Sequence, residues 1–215
     1  MLDIFVKMED KKEKKYNFEP PKITKLSEID LYRTYSYADY LTWEIKERLE
    51  LIKGKIFEMV APNRSHQEIS GAVFNKLYNY LEIKPCKVYC APFDVRLSNV
   101  SKQDDKVFTV VQPDICVICD QSKLDFKGCL GAPDIVVEIL SPGNNAKEMK
   151  NKYNVYEESG VKEYWIIVPT ERIVLHYILS HEGVFVPQRA LTEGDVLMSS
   201  VFPEFELPVD AVFKE

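Results

Sequence analysis

Glycine is scarce in this chain, 8 residues of 215, and no apolar stretch approaches the ~20 residues needed to span a bilayer. With 46% hydrophobic and 12% aromatic residues, the sequence falls among ordinary globular proteins large enough for one sizeable core. The opening residues, MLDIFVKMEDKKEKKYNFEPPK, lack the apolar core and small-residue cleavage site of a secretory signal, so a cytoplasmic location is expected. Five cysteines, an odd number, do not make a disulfide framework and read as thiols. An excess of basic residues is also missing. The 28 Lys and Arg against 34 Asp and Glu leave a formal net charge of -6, which does not supply the positive field that advertises a nucleic-acid partner. No internal repeat is visible.

What is present has a clear order. Residues 7–15, KMEDKKEKK, are nearly all charged and run toward Pro20 and Pro21, so they cannot bury enough apolar area to offset ordering entropy. Residues 1–35 are therefore expected as a loosely packed N-terminal arm and 36–215 as one domain. A helix is expected around 36–46, followed by LELIKGKIFEMV, where Gly54 splits two strand-like runs as a hairpin turn would. Further on, Ile69, Val73, Leu77 and Leu81 recur at steps of four, the stripe of an amphipathic helix. Ser65 and Glu68 have the spacing of a capping box at its start. Strands are expected over 87–98, 107–119 and 132–140, and a second helix over roughly 145–159 stops at Gly160. EYWIIVP and RIVLHYIL read as two more strands. This order predicts a mixed α/β layer with helices packed on a central sheet.

One stretch conflicts with its own composition. APDIVVEILSP is the material of a strand buried on both faces, yet Glu138 stands within it. Desolvating an ionised carboxyl is expensive unless a cation or strong donors answer it. Alternation along a strand puts Asp134, Val136, Glu138 and Leu140 on one side. On the preceding strand Asp114 sits in QPDICVI, and if the two strands are neighbours the two carboxylates converge. Two hard oxygen donors at a strand edge suit Mg²⁺ or Mn²⁺.

Here the residues carry a resemblance. Pro113-Asp114 on one strand and Glu138 on the next, in an α-β-β-β-α-β order, resemble the core of the PD-(D/E)XK nuclease superfamily, the restriction-endonuclease-like fold. More narrowly, ELIKGKIFEM, SHQEIS, APFDVRL, VQPDICVICD, GAPDIVVEILSP and GVKEYWIIVP are similar to the Uma2 family of restriction-endonuclease-like proteins, over about residues 37–213. The resemblance implies an α/β fold with a mixed central sheet flanked by helices, and metal-assisted hydrolysis of DNA phosphodiesters. It implies that Asp114 and Glu138 hold the Mg²⁺ or Mn²⁺. The superfamily lysine two residues after the strand glutamate is absent, since that position is Leu140. The family is similar in carrying a lysine on the following helix, which aligns Lys152, with Tyr156 four residues later. Glu148 stands where the family often has Asp, and Lys55 where it has an acid in the hairpin. Glu50 and His66 are candidates for completing the site.

Plainer readings stand beside these. Glu138 and Asp114 can also be strand-end acids paired with Arg96 or Lys152 without any metal. Glu68 reads as a cap, Asp134 as a strand-start residue, and His66 as a surface, capping or spacer residue as readily as a catalytic one. Asp94 and Arg96 share a strand face and read as a structural pair. Cys86, Cys90, Cys116 and Cys119 have a superficial zinc spacing, but Cys116 and Cys119 in ICVIC would point to opposite faces. Tyr156, Tyr164 and Trp165 read as core.

Three functions remain open: a metal-dependent DNA endonuclease, a catalytically inactive binding or assembly module of the same fold, and a hydrolase of a smaller phosphorylated substrate. Cleaving both strands of a duplex would call for two active sites, so a homodimer is the expected assembly.

Overall fold

The computed structural model describes residues 22–98, 101–141 and 146–214, with the side chains of 146–148 outside the described set. Chain order begins with one helical turn, α1 (Tyr37–Tyr40), a hairpin of β1 (Leu49–Ile52) and β2 (Lys55–Glu58), and the long helix α2 (Arg64–Leu81). Next come β3 (Lys87–Cys90), β4 (Val95–Arg96), β5 (Val110–Val111), β6 (Ile115–Ile118), a hairpin of β7 (Leu124–Asp125) and β8 (Gly128–Leu130), and β9 (Ile135–Ile139). Helix α3 (Ala146–Ser159) leads to β10 (Glu163–Val168), β11 (Ile173–Leu179) and β12 (Phe185–Pro187). The chain closes on a ribbon of β13 (Val196–Met198) and β14 (Glu206–Pro208), then α4 (Val209–Val212).

The class is α/β with mixed sheets, and the sheet is divided in two. One has the order β2-β1-β5-β4-β8-β7 and the other β12-β11-β10-β9-β6-β3. Two prolines cause the division. The expected strand 87–98 ends at Cys90 ahead of Pro92, and the expected strand 107–119 breaks around Pro113, a residue with no amide hydrogen for a ladder. The chain therefore crosses between sheets at both places. β3 and β6 pair in one sheet, β4 and β5 in the other. Asp114 lies at such a crossing.

The second sheet carries apolar residues on both faces. Ile115, Val117, Ile135, Val137 and Trp165 pack with the α2 stripe, while Cys116, Ile118, Val136 and Tyr164 pack with Val155 and Tyr156 of α3. The stripe itself, Ile69, Val73, Leu77 and Leu81, is buried as its spacing predicts. Each of those side chains contributes roughly 1.5–3 kcal/mol by leaving water. Gly160, at φ 87, follows α3 in the left-handed conformation that stops a helix.

The hairpin turn at Lys53 and Gly54 has φ of 52 and 76, the left-handed pair that a tight two-residue turn needs. A side chain at Gly54 would also meet Thr34 Cγ2 at 2.2 Å.

Several expectations are corrected. The helix expected over 36–46 is one turn. Ser36 and Asp39 cap it reciprocally, but Trp43 stacks edge-on against Tyr35 and the Glu44 amide donates to Ile23 O at 2.8 Å. That tertiary pairing outcompetes further helix. Residues 1–21 of the expected arm lie outside the described residues; over 22–35 most side chains are exposed, and Ile29 and Tyr35 are buried in a cluster with Tyr37 and Leu51. The helix α2 starts at Arg64, capped by Asn63, whose side chain accepts the His66 amide at 2.9 Å. Asn63 is as strong a cap as Ser65 and comes first, so Glu68 faces Arg64 at 3.3 Å instead of closing a capping box. The cysteines are not all thiols either. The β3–β6 register, Lys87 opposite Ile118, brings Cys86 beside Cys119, and the two form a disulfide. Cys116 and Cys119 do face opposite cores. Asp94 and Arg96 do not pair: Asp94 accepts from Tyr37 Oη and Gln112 Nε2, each at 2.8 Å, and Arg96 reaches Asp125 on the β7–β8 hairpin. Among the described residues no helix is long and apolar enough to cross a membrane.

Candidate active site

The crossing at Pro113 sets the geometry. In the antiparallel β6–β9 register Ile115 lies opposite Val137, so one step further Asp114 lies opposite Glu138 on the same face. Asp114 Oδ2 accepts the Ile139 amide at 2.7 Å and lies 3.2 Å from His66 Nε2. His66 reaches it because the Asn63 cap fixes the first turn of α2.

Helix α3 supplies the partners of Glu138. Lys152 and Tyr156, four residues apart, share one helical face. Lys152 Nζ lies 3.0 Å and 3.2 Å from the two Glu138 oxygens, and Tyr156 Oη donates to Oε1 at 2.7 Å. From the other sheet, Glu50 on β1 brings Oε1 to 3.1 Å from the same ammonium and accepts the Gln112 amide at 2.7 Å. Lys152 thus ties an acid of one sheet to an acid of the other.

Burial makes these charges expensive. Glu50 is 1% exposed, and Glu138, Lys152 and His66 are each 7% exposed. One ammonium serves two carboxylates, Glu138 and Glu50, and a third, Asp114, is close enough to Glu138 to raise its pKa. Burial and then the neighbouring Asp114 and Glu50 push Glu138 up to about 7, against the opposing pull of Lys152 and Tyr156. Burial opposes the Lys152 charge, but Glu138 and Glu50 outweigh it and hold the ammonium protonated well above its usual range. For His66, too, burial opposes the charge, and the bond and charge of Asp114 outweigh it, so its pKa is raised. Burial, then Glu138, keeps the Tyr156 hydroxyl protonated.

A cavity of about 50 Å³ borders His66, Asp114, Glu138 and Lys152, room for about one or two waters. The donor set fits a hard divalent cation on two grounds. Negative charge is in surplus, and Glu50 Oε2 and His66 Nδ1 are buried with no hydrogen-bond partner among the described residues. No three His, Cys, Asp or Glu side chains among the described residues group closely enough to cage an ion by themselves. Mg²⁺ does not need such a cage, since it keeps several waters.

Residues 37–210 match the Uma2 family model, described as "Putative restriction endonuclease". The chain belongs to the Uma2 family. An uncharacterized protein, slr1290, of Synechocystis sp. is 26% identical over 140 residues, covering 64% of this chain and 70% of that protein. In fold, the chain is similar to the crystal structure of "a putative nuclease belonging to DUF820" from Anabaena variabilis, with a TM-score of 0.66 and 19% identity, covering 83% of this chain and 97% of that one.

The five residues expected from the Uma2 resemblance, Asp114, Glu138, Lys152, Glu50 and His66, lie in this one cluster. Lys55 does not join it and donates instead to the carbonyls of Tyr32 and Arg33. The Glu148 side chain lies outside the described residues. Asp134 is occupied by the Cys119 amide and Lys162. Tyr156, read from sequence as core, is indeed buried, but its hydroxyl is a partner of Glu138. Gln112 and Arg48 were not singled out. Gln112 carried a signal, a polar residue closing the apolar run VFTVV; Arg48, in the charged run EIKERLE, carried none.

Proposed function

We propose that this Uma2 chain is a metal-dependent endonuclease that hydrolyses DNA phosphodiester bonds. The observation carrying the proposal is the convergence of Asp114, Glu138 and Lys152 on one small cavity, with buried negative charge in excess. Asp114 and Glu138 would hold Mg²⁺ or Mn²⁺, with Glu50 behind them. Such an ion makes a water more acidic and withdraws charge from phosphate oxygens.

The chain's own residues do the rest. Lys152, held protonated, places a fixed positive charge where negative charge grows on the phosphate as water attacks phosphorus and the P–O bond breaks. Tyr156 and Lys152 together fix the Glu138 rotamer. His66 and the Ile139 amide fix Asp114. Cutting both strands of a duplex would take two copies of the chain, which sedimentation measures.

Supercoiled plasmid incubated with Mg²⁺ or Mn²⁺ is expected to be nicked, and Asp114→Asn and Glu138→Gln to abolish nicking. Activity that survives both substitutions rejects the assignment. One observation favours the second reading, an inactive binding or assembly module: Lys152 already spans Glu50 and Glu138 and neutralises part of their charge. A chain that takes up no Mn²⁺ at millimolar concentration would have that role.

A further inference from the structure

The described residues include six arginines, and five have a carboxylate within 4.0 Å: Arg33 with Asp39, Arg64 with Glu68, Arg96 with Asp125, Arg172 with Glu193 and Arg189 with Asp195. Arg48 is the exception among the described residues. Its guanidinium is held by a neutral group: Nε and Nη2 both donate to Gln112 Oε1, at 3.1 and 2.8 Å. The amide orients the fork without cancelling its charge. Gln112 is itself fixed, since Nε2 donates to Asp94 at 2.8 Å and its backbone amide to Glu50 at 2.7 Å.

The position of this charge is as telling as its lack of a counter-ion. Arg48 lines a cavity of about 110 Å³ together with Met59, Val60, His66 and Asp114, and those four also line the cavity that holds Glu138 and Lys152. Outward, Arg48, Met59 and Val60 also line a wider cleft of about 600 Å³. Glu47 and Glu58 line that cleft too, and Arg48 is the one cation among its lining residues, oriented by an amide and shared with the cavity that leads to Asp114. A guanidinium presenting parallel donors is the group best matched to a phosphate diester.

We propose that Arg48, oriented by Gln112, is a phosphate-binding subsite. It seats a backbone phosphate of the nucleic acid next to the one being cleaved. This rests on the endonuclease reading above and adds to it a residue that positions the substrate without touching the reacting phosphorus. An otherwise acidic chain thereby gains attraction for a polyanion at the one place where it is needed.

The test measures affinity of a fluorescein-labelled 16-base-pair duplex by anisotropy across a salt series, in the Glu138→Gln background so that nothing is cut. Arg48→Gln is expected to weaken binding about tenfold and to lower the slope of log affinity against log salt by about 1, the signature of one lost phosphate contact. Arg48→Lys is expected to restore the slope and part of the affinity. Gln112→Met is expected to weaken binding by a smaller factor with the slope unchanged, because the charge stays and only its orientation is lost. A purely structural role for Arg48 would not move the slope; thermal melts confirm folding. Unchanged affinity and slope in Arg48→Gln overturn the subsite alone if the otherwise unsubstituted chain still nicks plasmid. A chain that neither binds the duplex nor nicks plasmid overturns both readings.

Discussion

Glu138 and Glu163 are both buried carboxylates, on the neighbouring strands β9 and β10 of one sheet, and they point to opposite faces of it. Donors crowd around Glu163. Ser199 Oγ donates at 2.8 Å, the Ser200 and Val201 amides donate to Oε1, and His176 Nε2 lies 3.4 Å away. Burial works to raise its pKa, but His176, Ser200 and Ser199 outweigh burial and lower it. Glu138 has two donors of its own, Lys152 and Tyr156, but also two other acids, and its pKa rises. The difference teaches how to read a buried carboxylate: donors in number lower the pKa of one, and neighbouring acids raise that of the other, which is the pattern the proposed cation site rests on.

Removing the ammonium that bridges Glu50 and Glu138 is expected to do the most damage. Lys152→Met leaves Glu50 and Glu138 buried without their counter-ion, at a cost of roughly 3–5 kcal/mol in urea unfolding. Adding Glu138→Gln to Lys152→Met is expected to recover part of that loss. A Lys152→Met chain as stable as the parent would mean that the two acids do not depend on it.

The two glutamates themselves should respond in opposite senses when each is made neutral. Glu163→Gln loses acceptor capacity facing several donors and is expected to cost about 1–3 kcal/mol while plasmid nicking persists. Glu138→Gln is expected to cost less stability at pH 8, because the folded state already resists that charge, and to end nicking. Equal stability losses would erase the contrast.

The pH dependence separates them further. Glu163 has its folded pKa lowered from 4.5, so its stabilisation is present above that value and is lost as pH falls through the lowered one. For Glu138 the sign is reversed. Between 4.5 and about 7 the metal-free folded state keeps a proton that the unfolded chain has released, so its contribution to stability falls as pH rises through that window. Thermal melts from pH 2 to 8 should lose the first slope, below 4.5, in Glu163→Gln and the second, between 4.5 and about 7, in Glu138→Gln. Mn²⁺ affinity should rise with pH toward 7, since ion and proton compete for the same carboxylate.

The smallest effect concerns the cap that places His66. Asn63→Ala is expected to cost about 1 kcal/mol of stability and to lower activity only through the loosened first turn of α2. A loss of activity as large as that of Asp114→Asn would give Asn63 a direct role.

Glu138 was legible because it breaks its local pattern, whereas Lys152, Glu50 and His66 were reached through the Uma2 resemblance. Glu138 interrupts a strand of Ile and Val, and the α2 stripe shows its period plainly. The division into two sheets was present in the sequence as Pro92 and Pro113, yet a continuous run of β-formers across each hid the break. The cap at Asn63 was masked by an equally good cap two residues later. The Cys86–Cys119 bond depends on the β3–β6 register, which no local feature encodes. Arg48 is informative only through what does not face it, a property that exists only once the chain is folded.

Calorimetric titration of Mn²⁺ into the unsubstituted chain, Glu138→Gln and Glu163→Gln at pH 7.5 tests the centre of this account. Binding is expected in the first and third and not in the second. Equal binding by all three, or none by any, would contradict the assignment of a cation to the acid-rich face.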